Sequence, residues 1–170
     1  MKKSISILLC LCVLLSLFGC ADRAEAPQVP VQFYYPRTID TIQYTINNGA
    51  FAYELRESAG YTDNIPYLLN LYFRGPADAT LRNPFPTATS VTELKVYGKY
   101  AFLTVSDSFA QLTGMELTIA CACLTLTVTE LTGAETLCLR TNSQLLDNHE
   151  RLLLQARDFL FMDDTTAPRE

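Results

Sequence analysis

Hydrophobic and polar positions change period several times along the chain. In residues 29–35 (VPVQFYY) β-branched and aromatic side chains run together and Pro36 closes them, which is the pattern of a strand. Residues 41–46 (TIQYTI) and 50–57 (AFAYELRE) flank Asn47-Asn48-Gly49, a turn that tolerates positive φ, and predict a hairpin. The period then becomes helical: Ile65, Leu68, Leu69 and Tyr72 stand at i, i+3, i+4 and i+7. Asp63 is placed to cap this helix. Pro66 falls in its first turn, where no intrahelical hydrogen bond is lost, and Gly75-Pro76 ends it.

Residues 90–97 (SVTELKVY) and 100–106 (YAFLTVS) return to alternation around Gly98-Lys99, a second hairpin. Two periods compete between Gln111 and Leu131. Thr125, Thr127 and Thr129 alternate with Leu124, Leu126 and Val128, which favours a strand by propensity. Yet the 18 residues from Met115 to Thr132 contain no Gly or Pro, which is long for one strand. Leu112, Met115, Ile119, Cys123 and Leu126 also form a helical stripe, so a largely buried helix is expected. Residues 134–140 (AETLCLR) predict a core strand. Residues 150–164 predict a returning strand around Leu152 to Leu154, or else a docked amphipathic tail. The order β-β-β-α-β-β-α-β-β gives an α+β fold: a single mixed or antiparallel sheet with two helices packed on one face.

The first residues belong to an address, not to the fold. Lys2 and Lys3 precede an apolar run from Ile5 to Phe18 that is too short to span a bilayer comfortably. Its end, Leu17-Phe18-Gly19-Cys20, resembles the lipobox of bacterial lipoproteins, with Phe18 where a smaller residue is usual. The resemblance implies that residues 1–19 are a cleaved lipoprotein signal peptide and that Cys20 carries diacylglycerol and an acyl chain such as palmitate. The lipid bilayer is then one partner, and the place is the extracytoplasmic face of the cell membrane. An ordinary cleaved signal peptide or an uncleaved anchor is the alternative. Each buried CH₂ contributes about 0.8 kcal/mol, so two or three acyl chains hold a small domain where one does not.

Removing residues 1–19 takes the net charge from −5 to −7. That excludes nucleic acid as a natural partner and leaves retention at an anionic surface to the lipid. Residues 20–30 are expected to be the lipidated cysteine and a tether about 30 Å long. Residues 31–162 are expected to form one domain and 163–170 a disordered tail.

Several stretches in order, LLNLYFRGP (68–76), PFPTAT (84–89), LTVSDSF (103–109), a long apolar helix and AETLCLR (134–140), together resemble the GerMN domain. That domain is named from the sporulation and germination protein GerM and also occurs in LpqB-type lipoproteins. The match spans residues 29–142; GerM has two such domains and this chain has length for one. The resemblance implies a fold like the ring-building modules of sporulation secretion complexes. It also implies a non-enzymatic scaffold or protein-interaction role in sporulation or spore germination, with an envelope protein or a second copy as partner. The alternative is a regulatory or ligand-binding lipoprotein that modulates a sensor kinase or holds cell-wall glycan. On this reading Gly75, Pro76, Pro84, Phe85 and Pro86 are scaffold, with Phe85 a core plug.

Candidate chemistry is sparse. Cys121, Cys123, Cys138 and His149 lack zinc-knuckle spacing, and on a helix Cys121 and Cys123 lie about 200° apart. His149 has no nucleophile elbow to serve. Ser106-Asp107-Ser108 suits a helix cap, and Asp163-Asp164 reads as solvated. No catalytic residue, metal or cofactor is expected. The candidate interface is tyrosine-rich: Phe33, Tyr34 and Tyr35 on the first strand, Tyr97 and Tyr100 at the second hairpin. A self-assembling module should show an apolar patch or edge, and a glycan binder a concave pocket with aromatic and polar groups.

Overall fold

The computed structural model describes residues 29–38, 49–58 and 60–159. Strands β1 (Pro30–Pro36) and β2 (Phe51–Glu57) precede helix α1 (Ile65–Phe73), and the hairpin β3 (Val91–Tyr97) and β4 (Tyr100–Val105) follows it. Helix α2 (Gly114–Thr132), β5 (Thr136–Thr141) and β6 (Leu152–Leu154) complete the α+β fold. The strand expected at 41–46, with Asn47 and Asn48, lies outside the described residues, as do Cys20, the leader, most of the tether and the tail from residue 160.

Both predicted helices form. Pro66 sits in the first turn of α1, which buries Leu68, Leu69, Tyr72 and Phe73. Its cap is Asn64 rather than Asp63: the Asn64 side chain accepts from the Tyr67 amide at 3.1 Å. Asp63 stands one residue too early to reach that donor.

Helix α2 overrides the strand propensity of its threonines. Hydroxyls of Thr118, Thr125, Thr129 and Thr132 donate to carbonyls one turn back at 2.6–3.1 Å, so polar β-branched residues sit in a buried helix without orphaned groups. Gly133, at φ +69°, closes it. The expected stripe holds only in part: Cys123 is fully buried and Leu112 is buried just before the helix, but Met115 is 72% exposed and Ile119 and Leu126 are only half-buried. Leu117, Ala120, Cys121, Leu124 and Val128 face inward, and Ala122, Cys123, Thr125 and Thr127 are buried with them. By length and composition α2 could cross a membrane, but half of it is buried inside the fold.

Among the described residues the strands form two sheets where one was expected: β1-β2, and β3-β4-β5-β6. Among the described residues the free edge of β1 meets helix side chains along its middle and, at its end, only an isolated backbone bridge between Arg37 and Leu81. The Tyr34 amide donates to Thr127 Oγ1 of α2 at 3.0 Å, and the Tyr34 carbonyl accepts from the Tyr72 hydroxyl of α1 at 2.6 Å. With those groups satisfied by side chains, the ladder ends.

In the larger sheet β3-β4 and β5-β6 are antiparallel, while β4 and β5 run parallel through the α2 crossover. Ala101, Leu103 and Val105 pair in register with Leu137, Leu139 and Thr141 and belong to the face that joins the helical core. Among the described residues no helix packs on the opposite face.

Candidate functional site

The proline loop packs against the end of α1 and into the core. Gly75, at φ +96°, donates to Tyr72 O at 3.0 Å and ends α1. Arg56 of β2 donates to the Gly75 carbonyl at 2.6 Å while its guanidinium lies 5.7 Å from the Phe33 ring centre. Glu54, paired with Arg56, accepts from the amides of Ala77 and Asp78 at 2.8 and 3.0 Å. Burial of Glu54 works to raise its carboxyl pKa. The Asp78 amide, Arg56 and the Ala77 amide outweigh that and hold it below its ordinary value. Pro84 is buried and Phe85 plugs the core, its ring 4.9 Å from those of Tyr72 and Phe73 and 6.2 Å from Phe109. Pro76 and Pro86 are half-buried beside it.

The groups considered for chemistry stand apart. Cys121 and Cys123 are buried in α2, and burial pushes the Cys121 thiol up to about 12. Cys138 belongs to the helix-free face of β5, and His149 is exposed in a turn bonded to Leu146. Among the described residues no three His, Cys, Asp or Glu side chains come together. Asp107 does not cap the turn it begins. Its carboxylate accepts from the Ser143 hydroxyl and amide at 2.7 and 2.9 Å and so fastens the loop after β5, which holds its pKa below the ordinary value.

Of the five interface candidates, Phe33 and Tyr35 are excluded by burial. Strand alternation turns them fully inward onto Tyr72, at ring distances of 5.2 and 4.8 Å. Tyr34 is half-buried, with its ring 5.8 Å from Tyr53. Tyr97 and Tyr100 stand open, 63% and 51% exposed.

Those two belong to a larger surface that the sequence reading missed. The register across the four strands lines Lys95, Phe102, Cys138 and Leu153 in one row of the helix-free face. Tyr97, Tyr100 and Thr136 form the row on one side, and Glu93, Thr104 and Arg140 the row on the other. Phe102 is 41% and Leu153 64% exposed. The Phe102 ring lies 6.1 Å from Tyr97, edge to face, and 6.4 Å from Tyr100. A signal for this was present in "YAFLTV": β4 is apolar on both faces, although the order of elements supplies only two helices.

A shallow cavity of about 280 Å³ opens at the centre, bounded by Tyr97, Phe102, Cys138, Arg140 and Arg151. Lys95 and Glu93 pair at 2.5 Å at its edge; that hydrogen bond holds the Glu93 carboxyl below and the Lys95 ammonium above their ordinary pKa values. Arg140 reaches Glu93 at 3.6 Å and donates to Thr104 Oγ1 at 3.0 Å. Arg151 makes no ion pair or hydrogen bond among the described residues. An aromatic floor beside guanidinium groups can take up an apolar side chain and a carboxylate; it offers no nucleophile with a base.

No protein-family model matches the chain, and no curated protein does. Solved structures do. The tandem GerMN domains of the sporulation protein GerM from Bacillus subtilis superpose with a TM-score of 0.52 at 16% identity, over 82% of this chain and 48% of that one. This chain thus spans about half the length of that tandem structure. The first GerMN domain of the same protein gives 0.47 at 16% identity, over 72% and 85% of the two chains. A Clostridium perfringens chain described as a candidate lipoprotein gives 0.46 at 16% identity, over 77% and 89%. Together with the order of its elements, the first of these likenesses establishes that this chain has the fold of a GerMN domain.

Proposed function

We propose that the chain is an interaction module, held on the extracytoplasmic face of the cell membrane by lipid on Cys20, that brings envelope proteins together without catalysis. The observation that carries this reading is the helix-free face of the four-stranded sheet. Tyr97, Tyr100, Phe102 and Leu153 are all more than 40% exposed there, and a contiguous apolar face rimmed by charge marks an interaction surface. Residues 1–20 support the lipid anchor through their charged start, short apolar run and Leu-Phe-Gly-Cys end. The sporulation protein GerM shares the fold, which supports placing the module in sporulation or spore germination.

The test is crosslinking in membranes of the sporulating cell, with a photoreactive side chain at position 97 or, for comparison, 34. A protein adduct at 97 is expected. Loss of membrane retention in Cys20→Ala is expected alongside it, together with a lipid mass on the wild-type N-terminal peptide. Absence of any adduct at 97 overturns the module reading. An adduct with glycan instead moves the reading to a ligand-binding lipoprotein.

A further inference from the structure

The helix-free face is small for a protein–protein interface and carries the wrong charge for this protein. Four strands about 4.8 Å apart and six residues of about 3.3 Å give an area on the order of 400 Å². That is half of the roughly 800 Å² each partner contributes to a standard interface, so it fits a segment of chain better than a folded domain. The chain as a whole carries −5, yet the cavity at the centre of the face is bounded by Lys95, Arg140 and Arg151 against a single carboxylate, Glu93. The surroundings do not cancel that excess. Lys99 and Glu135, at one end of the face, neutralise each other at 2.6 Å. Glu150 lines an adjoining depression together with Arg140 and Arg151 and is ion-paired with neither.

The aromatic groups narrow the class of ligand. Phe102 meets Tyr97 at an interplanar angle of 65° and Tyr100 at 33°. The three rings therefore form a notch for a side chain and not a coplanar shelf for a sugar ring. We infer that the cavity on the helix-free face docks an acidic segment of a protein partner, with one apolar side chain against Phe102 and a carboxylate held by Arg140 and Arg151. The inference rests on the interaction-module reading and names the chemistry of the partner. Arg151, without a hydrogen-bond or ion-pair partner among the described residues, can donate two parallel hydrogen bonds to a carboxylate.

The test uses the full chain in detergent and two fluorescein-labelled decapeptides, one alternating aspartate with phenylalanine and the other lysine with phenylalanine, followed by anisotropy. The acidic peptide should bind at least about tenfold more tightly than the basic one and weaken steeply with salt. Arg140→Gln with Arg151→Gln should weaken it by about tenfold or more. Arg151→Glu alone, at an exposed residue with no partner to lose among the described residues, should do the same without changing the urea midpoint. Equal affinity for the two peptides, or indifference to both variants, overturns the inference. So does displacement of the acidic peptide by millimolar N-acetylmuramic acid, which would assign the cavity to a sugar acid. A crosslink at position 97 combined with charge-indifferent peptide binding removes only this inference; no crosslink removes the module reading itself.

Discussion

Replacing Gly75 with alanine adds one methyl group at a backbone φ of +96°, in a conformation that L-residues rarely adopt. Holding a side chain there costs about 1–3 kcal/mol. The new Cβ would also stand 3.0 Å from both Cβ and Nδ2 of Asn83, closer than carbon atoms settle. Asn83 cannot step aside freely. Its amide donates to the Phe73 carbonyl at 3.1 Å, and its side-chain oxygen accepts from the Phe85 amide at 3.0 Å. Each such bond is worth about 0.5–1.5 kcal/mol net, so displacing Asn83 adds about 1–3. The total expected loss is about 2–6 kcal/mol, a fall of about 1–3 M in the urea midpoint at a slope near 2 kcal/mol/M. Chemical denaturation followed by circular dichroism measures it. Asn83→Gly in the same background removes the crowded Cβ, so the double variant should lose clearly less than the sum of the singles. An unchanged midpoint for Gly75→Ala, or strict additivity in the double variant, refutes the close approach on which the reading of this loop depends.

Phe85→Ala should cost about 3–5 kcal/mol by the same assay, because it empties a site shared by Tyr72, Phe73 and Phe109. Glu54 has a folded pKa below its ordinary value, so its contribution to stability is present above that ordinary value and is lost as pH falls through the folded one. Urea midpoints measured downward from pH 6 should therefore decline, and Glu54→Gln should flatten that decline. Cys121, with its thiol pushed up to about 12 by burial, should resist iodoacetamide at pH 8 in the native chain and label fully in urea, as read by peptide mass spectrometry.

Some of this architecture follows from chemistry within a turn or two of each residue. Pro66, Gly75-Pro76, Gly98-Lys99 and Gly133 delimit elements because φ restrictions and missing amide hydrogens act locally, whatever packs nearby. The exposure of Tyr97 and Tyr100 follows similarly from their place beside a tight hairpin turn. The length of the segment from 115 to 132 was enough to choose a helix over a strand, and the returning threonine hydroxyls explain why that choice is stable.

What local chemistry could not decide depended on partners remote in the chain. The separation of β1-β2 from the other strands rests on Thr127 and Tyr72, 93 and 38 residues from Tyr34, taking up its backbone groups. The inward row of α2 is set by β1 on one side and β4 and β5 on another; a helix walled this way buries a wide arc, and its apolar period no longer points to one face. The candidate site was half legible for the same reason. Its tyrosines announce themselves, but Lys95, Phe102, Cys138 and Leu153 become neighbours only through the register of four strands, one pair of them parallel and joined across α2. Period tells which residues share a face of one strand; only the pairing of strands brings Arg140 and Arg151 to the same cavity as Phe102.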